Sequence, residues 1–268
     1  MAMSDSTLGN HTVRSELSIG GRRLSYLDFG GDGRPLVALH GHISEGVMFT
    51  HLAGALGPEW RLIAPDQRGQ GESERADDYT REGYLADVRA LLDHLALDRV
   101  VLLGHSMGAV NAYQFTARHP ERVSALINVE GPVELELDGP NPLAFLLDLP
   151  RRAATREELA AGLGPAGSQF SDRLRQSPDG SWRLPFHPDD MFRSEEEVHG
   201  DYWDDWTSSS CPALLIHGTK GYVPAAEVRG MVDRRPGTVA VQLDGDHLLP
   251  TGVPETFAAA VRDFLATL

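Results

Sequence analysis

Thiols are almost missing from this chain: among its 268 residues Cys211 is the single cysteine. That excludes an internal disulfide framework and a thiolate metal cluster, and makes a reducing compartment, the cytoplasm, the expected setting. The opening Met1-Ala2-Met3-Ser4-Asp5-Ser6-Thr7 lacks the basic patch and apolar core of a signal peptide, and no later apolar run approaches the length of a membrane span. Positive charge is scarce as well, with 24 Lys and Arg against 39 Asp and Glu, a formal net charge of -15. A protein that grips phosphate backbones needs a basic face, so nucleic acid is not an expected partner, and neither is a membrane. The acidic surface reads as a solubility feature from which no substrate follows. Internal repeats and low-complexity tracts are absent too.

What is present is an ordinary globular composition, 41% hydrophobic and 24% charged, with order expected beyond the first dozen residues. The length suffices for one large core with an inserted subdomain. Strand-like and helix-like segments alternate, the pattern of a mostly parallel sheet covered on both faces. Leu17 to Ile19 and Leu24 to Phe29 predict a hairpin around Gly20-Gly21. Buried strands are expected at Leu36 to Leu39, Arg61 to Ala64, Val100 to Leu103, Val123 to Val129, Ala213 to Ile216 and Val239 to Leu243. Helices are expected at Gly46 to Leu56, Thr80 to Leu95, Met107 to Ala117, Ala225 to Val232 and Pro254 to Leu268, where apolar residues recur at spacings of three and four. Between Pro132 and Trp206 the alternation fails, and the segment, rich in Pro, Arg, Asp and Glu, reads as a mostly helical insertion over the carboxyl edge of the sheet.

The most informative stretch is Gly104-His105-Ser106-Met107-Gly108, which follows the apolar run Val100 to Leu103 and precedes a helical pattern. In G-x-S-x-G the glycines allow a sharp strand-to-helix turn that holds the central residue in a strained conformation with its hydroxyl exposed. Ser106 is therefore the candidate nucleophile. The helix that starts there directs unpaired N–H groups and a positive dipole end at the point where charge would develop on an attacked carbonyl.

Four segments in order give the chain its resemblance to the α/β-hydrolase superfamily, over nearly its whole length. Leu39-His40-Gly41-His42 follows the third strand, Asp66-Gln67-Arg68-Gly69-Gln70-Gly71-Glu72-Ser73 the fourth, the serine elbow the fifth, and Gly245-Asp246-His247 the last. The resemblance implies an α/β class and an α/β-hydrolase fold: a mostly parallel eight-stranded sheet flanked by helices, with a mainly helical cap inserted after strand six. Residues 1–132 and 207–268 would form the core and residues 133–206 the cap. It further implies that Asp66, Arg68 and Ser73 form a structural turn, that His105 packs beneath the elbow, and that no metal or organic cofactor takes part.

His247 is the expected base, because imidazole has the basicity to take a hydroxyl proton near neutral pH and relatives carry this histidine last in the chain. Asp246 beside it is not assigned as its partner, since adjacent side chains usually point apart. Most relatives place the acid shortly after the seventh strand, where His217-Gly218-Thr219-Lys220 here leads to Gly221, which has no side chain. Some carry it at the end of strand six instead, where Asn128-Val129-Glu130-Gly131 stands, so Glu130 is the expected acid, ahead of Asp233 and Glu227. The oxyanion hole would use the backbone N–H groups of Met107 and His42. The His42 side chain either lines the pocket wall or serves as a further donor or acid above the substrate.

These assignments imply a serine hydrolase that cleaves an ester or lactone of a small, largely apolar substrate through an acyl-enzyme. Carbon–carbon hydrolysis, thioester hydrolysis or cyclisation, perhydrolysis, cofactor-independent oxygenation and simple ligand binding stay open as alternatives. Epoxide hydrolases and haloalkane dehalogenases of this fold resemble one another in using an elbow aspartate, which this chain lacks. Phe145, Phe170, Trp182, Phe186 and Trp203 either line an acyl pocket or fill the core of the cap.

Overall fold

The computed structural model describes residues 12–135 and 139–268. The N-terminal stretch inspected for a leader, and residues 136–138 of the expected cap, lie outside the described residues. All the expected strands form, most of them longer than the apolar runs that announce them. β1 (Val13–Ile19) and β2 (Arg22–Asp28) make the antiparallel hairpin. Six strands follow: β3 (Arg34–Leu39), β4 (Trp60–Pro65), β5 (Val100–His105), β6 (Val123–Val129), β7 (Ala213–Lys220) and β8 (Thr238–Asp246). They join the hairpin in one sheet of order β1-β2-β4-β3-β5-β6-β7-β8. Only the pairings of β2 are antiparallel; β3 through β8 run parallel.

The apolar runs are continuous because both faces of the sheet are covered. Val37 and Leu39 of β3, Val100 and Leu102 of β5, and Leu215 of β7 belong to one core cluster. Their alternating neighbours Leu36, Ala38, Val101, Leu103, Leu214 and Ile216 belong to the other. On the first face pack α2 (Arg81–His94) and α3 (Met107–Arg118), through residues such as Leu91, Val110 and Phe115. Thr80 caps α2 by accepting the Gly83 N–H. On the second face lie α1 (Thr50–Ala55) and a C-terminal helix, Pro254–Leu265, through Leu52, Phe257 and Val261. The continuous helix expected from Gly46 to Leu56 is divided, since Gly46–Phe49 winds as a tighter 3-10 turn whose Gly46 N–H is taken by Asp66 Oδ1 at 2.8 Å.

Between β6 and β7 the chain is less helical than its composition suggests. It holds helices at Arg156–Gly162, α4 (Pro188–Glu196) and α5 (Trp203–Thr207). It also holds a small three-stranded sheet of Arg152–Ala153, Trp182–Arg183 and Arg175–Gln176, and a pairing of Glu134–Leu135 with Gly200–Asp201. The cause is local: Ser177-Pro178-Asp179-Gly180 is a turn sequence, with Gly180 at φ 85° and its N–H bonded to Ser177 O, which folds the chain into a hairpin instead of a helix.

The aromatic residues of this insert divide between core and surface. Phe170 and Phe186 are buried and meet edge to face at 5.2 Å, whereas Phe145 is exposed. Trp203 donates its indole N–H to Glu134 and lies under the Arg234 guanidinium at 3.9 Å; Trp182 is half-buried. Trp206 is the anchor: fully buried, it donates to Met231 O at 2.8 Å and meets the Tyr113 ring of α3 at 6.0 Å. Among the described residues no helix is long and apolar enough to cross a membrane. Trp206→Ala is expected to cost about 3–5 kcal/mol of stability, read as a lowered midpoint in urea unfolding.

Candidate active site

Ser106 lies between the last residue of β5 and the first of α3, at φ 56° and ψ −125°. A serine in this position ordinarily caps the helix with its hydroxyl. Ser106 makes no such bond, which leaves Oγ uncommitted. Its main chain is fixed, the N–H donating to Val129 O at 2.9 Å and the carbonyl accepting from Ala109 and Val110. Four non-glycine residues among those described have positive φ: Ile43, Ala96, Ser106 and Glu130. Three of them stand just past the carboxyl ends of β3, β5 and β6, so backbone strain of about 1–3 kcal/mol per residue collects along one edge.

Glu130 extends β6 by one residue, and its φ of 54° turns the side chain into the sheet edge. Asn128 holds that turn with both ends of its amide, donating to Gly131 O and accepting from Gly131 N, each at 2.9 Å. The carboxylate has no exposed surface. Gly218 N–H donates to Oε1 at 2.7 Å, Tyr222 N–H to Oε2 at 2.7 Å, and His247 Nδ1 lies 3.3 Å from Oε2. Burial alone would raise this carboxyl, but the histidine and the two amides outweigh it, and the group sits below its ordinary pKa. A Cβ on Gly221 would overlap both carboxylate oxygens. A side chain at position 221 and the Glu130 carboxylate in its present place would therefore compete for one volume.

His247 follows the end of β8 and is gripped from three sides. Its carbonyl bonds the ring Nε2 of buried His105 at 2.8 Å, and the two imidazoles lie 4.9 Å apart. On the open side the Tyr222 ring stacks on it at 4.2 Å and 35° while standing largely in solvent. Asp246, as expected, turns elsewhere and accepts the Leu248 N–H at 2.9 Å. Glu227 accepts from Val133 and Glu134, and Asp233 is exposed; among the described residues neither bonds the histidine. Among the described residues no hydrogen bond joins Ser106 Oγ to His247.

The loops after β3 and β4 build the opposite wall. His40 is fully buried; its Nδ1 donates to Gly41 O at 2.7 Å and its Nε2 accepts the Gln67 N–H at 2.9 Å. Gly41 lies so close to the elbow that a Cβ there would be 2.9 Å from Ser106 Cβ. Asp66 receives Gly46 N–H, Glu72 N–H and Arg14, and Ser73 Oγ donates back to Asp66 O at 2.5 Å. Arg68 pairs with Asp87 at 2.9 Å. These side chains of the D-x-R-G-x-G-x-S run bind the backbone and neighbouring elements, with Arg68 reaching Asp87 of α2, and so hold the run as a turn. Of the two roles considered for the His42 side chain, the geometry favours the wall, because both its ring nitrogens are engaged by the insert, Nδ1 by Glu195 at 3.0 Å and Nε2 by Ser194 at 2.8 Å. Its main-chain N–H, like that of Met107 in the first turn of α3, has no helical partner to satisfy it.

Tyr222, Asn128, Ser194 and Glu195 were not singled out from the sequence, and no spacing pattern announces them. Among the described residues no group of three or more His, Cys, Asp or Glu side chains is arranged to hold a metal ion.

A family model described as the alpha/beta hydrolase fold matches residues 34–265, and the chain belongs to that family. It is similar to the 2-(acetamidomethylene)succinate hydrolase of Mesorhizobium japonicum, 24% identical over 99% of both chains. It is likewise similar to the N-formylmaleamate deformylase of Pseudomonas putida, 27% identical over 93% of this chain and 95% of that one. A solved structure of E-2-(acetamidomethylene)succinate hydrolase superposes with a TM-score of 0.82 at 23% identity, covering 96% of this chain and all of the other.

Burial lowers His40 to about 4 and His105 to about 3, in both cases against the pull of nearby carboxylates. Both rings are neutral when folded and regain their ordinary pKa on unfolding, so the unfolded chain binds more protons below about pH 6.5. The stability they supply is complete above that pH and is lost as pH falls toward their folded values. The urea midpoint should therefore drop between about pH 7 and about pH 5, before most carboxylates titrate, and His105→Asn should flatten that slope.

Proposed function

We propose that the protein is a serine hydrolase that cleaves an ester or lactone of a small, largely apolar molecule through an acyl-enzyme. In this reading Ser106 attacks the carbonyl and His247 takes its proton. Glu130 fixes the Nδ1–H tautomer and offsets the imidazolium charge. The N–H groups of His42 and Met107 receive the oxyanion. His247 then protonates the leaving alcohol and activates the water that releases the acid. Ser106 Oγ and His247, which share no hydrogen bond in the structure, form one when substrate is in place.

The observation that carries this reading is the Glu130 carboxylate, wholly buried, charged, and bonded to His247 Nδ1 at the edge where Ser106 is strained. Ionised acids are held in such surroundings at considerable cost, and they cluster at sites of chemistry. Tyr222 and Leu248, both exposed beside His247, supply an apolar rim suited to an uncharged acyl or alkyl group. The segment 133–206 acts as the cap on a core of residues 1–132 and 207–268, and the single cysteine fits a cytoplasmic setting.

A second reading is favoured by the similarity to N-formylmaleamate deformylase along most of both chains. The same relay would remove a formyl group from nitrogen, with His247 protonating the departing nitrogen.

A fluorophosphonate probe should label Ser106, as located by peptide mapping, and Ser106→Ala should abolish labelling. A panel of p-nitrophenyl esters, lactones and N-formyl amides should show turnover of at least one class. Glu130→Gln should lower kcat by about 10²–10⁴-fold with the fold intact by circular dichroism. Gly221→Ala, which leaves every catalytic side chain in place but intrudes on Glu130, should lower kcat in the same direction. Full activity in Glu130→Gln would remove it from the relay.

A further inference from the structure

The two residues whose N–H groups form the proposed oxyanion hole belong to different elements, the loop after β3 and the first turn of α3, yet their side chains converge on one residue of the insert. Ser194 Oγ is 2.8 Å from His42 Nε2 and 3.6 Å from Met107 Sδ. The next residue, Glu195, takes His42 Nδ1 at 3.0 Å. Both lie in the last turn and a half of α4.

The proton positions follow from the partners. A carboxylate can only accept, so His42 Nδ1 carries a proton. Burial outweighs the attraction of Glu195 and keeps the ring neutral, while Glu195 is held charged against its own burial by His42. Nε2 is then an acceptor, and Ser194 donates to it. Ser194 Oγ in turn accepts from Tyr84 O–H at 2.8 Å and is 3.4 Å from Arg81 Nη2. The Arg81 guanidinium stacks on the Tyr84 ring at 4.5 Å and donates to Asn111 at 2.8 Å. The order hydroxyl, imidazole, carboxylate repeats that of the proposed catalytic relay, but Ser194 has no exposed surface and can attack nothing. Its hydrogen-bond direction is the useful property: every polar atom of the His42 ring is consumed in holding the ring still.

Resting on the Ser106 reading above, we infer that Ser194 and Glu195 are positioning residues that set the oxyanion hole, fixing the His42 ring by hydrogen bonds and seating Ser194 Oγ in contact with the Met107 thioether. Gly41, the preceding residue, lies close enough to the elbow that a Cβ there would meet Ser106 Cβ at 2.9 Å, and the clamp on the His42 ring holds the same loop from its other side. Oxyanion donors act only within a few tenths of an ångström of their target, and displacement of one costs rate while leaving ground-state binding nearly unchanged. The hole is thus complete only when α4 is seated.

The test uses the full chain, a p-nitrophenyl ester as substrate, and two inhibitors of matched shape: an aryl trifluoromethyl ketone, which adds serine to form an oxyanion, and the corresponding methyl ketone, which stays trigonal. Glu195→Ala should lower kcat by about 10- to 100-fold with KM within about twofold. It should weaken the trifluoromethyl ketone by a similar factor and leave the methyl ketone unchanged. Glu195→Gln, whose Oε1 still accepts from Nδ1–H, should restore the trifluoromethyl ketone affinity to within about threefold. Ser194→Ala makes the same comparison if Glu195→Ala does not fold. Equal weakening of both ketones, no weakening of either, or a Gln variant as impaired as the Ala variant overturns the inference. Failure of the wild-type protein to add the trifluoromethyl ketone or to be labelled at Ser106 overturns the Ser106 reading instead, and this inference with it.

Discussion

A carboxylate without exposed surface must be given its hydrogen bonds by the fold, and the site depends on how this is done for Glu130. Its oxygens receive two backbone N–H groups from the chain leaving β7 and the ring of His247 from the chain leaving β8. Three neighbouring strands therefore end in mutual contact, and none of their tips can shift without leaving a buried charge unsatisfied. Ser106, whose N–H is bonded to the last carbonyl of β6, is drawn into the same arrangement. The strained φ angles of Ser106 and Glu130 are held by this network, since neither residue would adopt them in an isolated strand.

Much of this was legible in the sequence. Strands such as Val100 to His105 announce themselves because burial on both faces demands uninterrupted apolar residues, and Ser106 is announced by glycines that its tight turn requires. Glu130 was legible only through the family resemblance, whose usual acid position falls here on Gly221; its burial against His247 is not written in the spacing. Side-chain partnerships across distant segments were not. Ser194 and His42 are 152 positions apart and Tyr222 and Glu130 are 92 apart, and nothing in the spacing of either pair encodes contact. The insert was the least legible part. Its polar composition suggested helices, whereas its short strands arise from a Pro-Asp-Gly turn and from pairings of two residues each, too brief to leave a period-two pattern.

The insert is fastened at well-separated points. Trp206 roots its C-terminal end against α3, Arg75 forms a two-pronged pair with buried Asp190 in α4, and Arg175 pairs with buried Glu45 in the loop after β3. Ion pairs with one wholly buried partner are costly to break by removing either member. The segment over the sheet edge is thereby docked rather than draped, which suits a wall whose side chains bear on the main chain of the site beneath.

The exclusion between Gly221 and Glu130 also bears on which positions can vary alone. Even a methyl group at 221 would overlap both carboxylate oxygens, so no side chain can be added there while Glu130 keeps its place. Gly221 has no positive φ and hence no conformational demand of its own for glycine. Its identity is set instead by a side chain 91 positions away in the sequence, and position 221 can change only together with position 130.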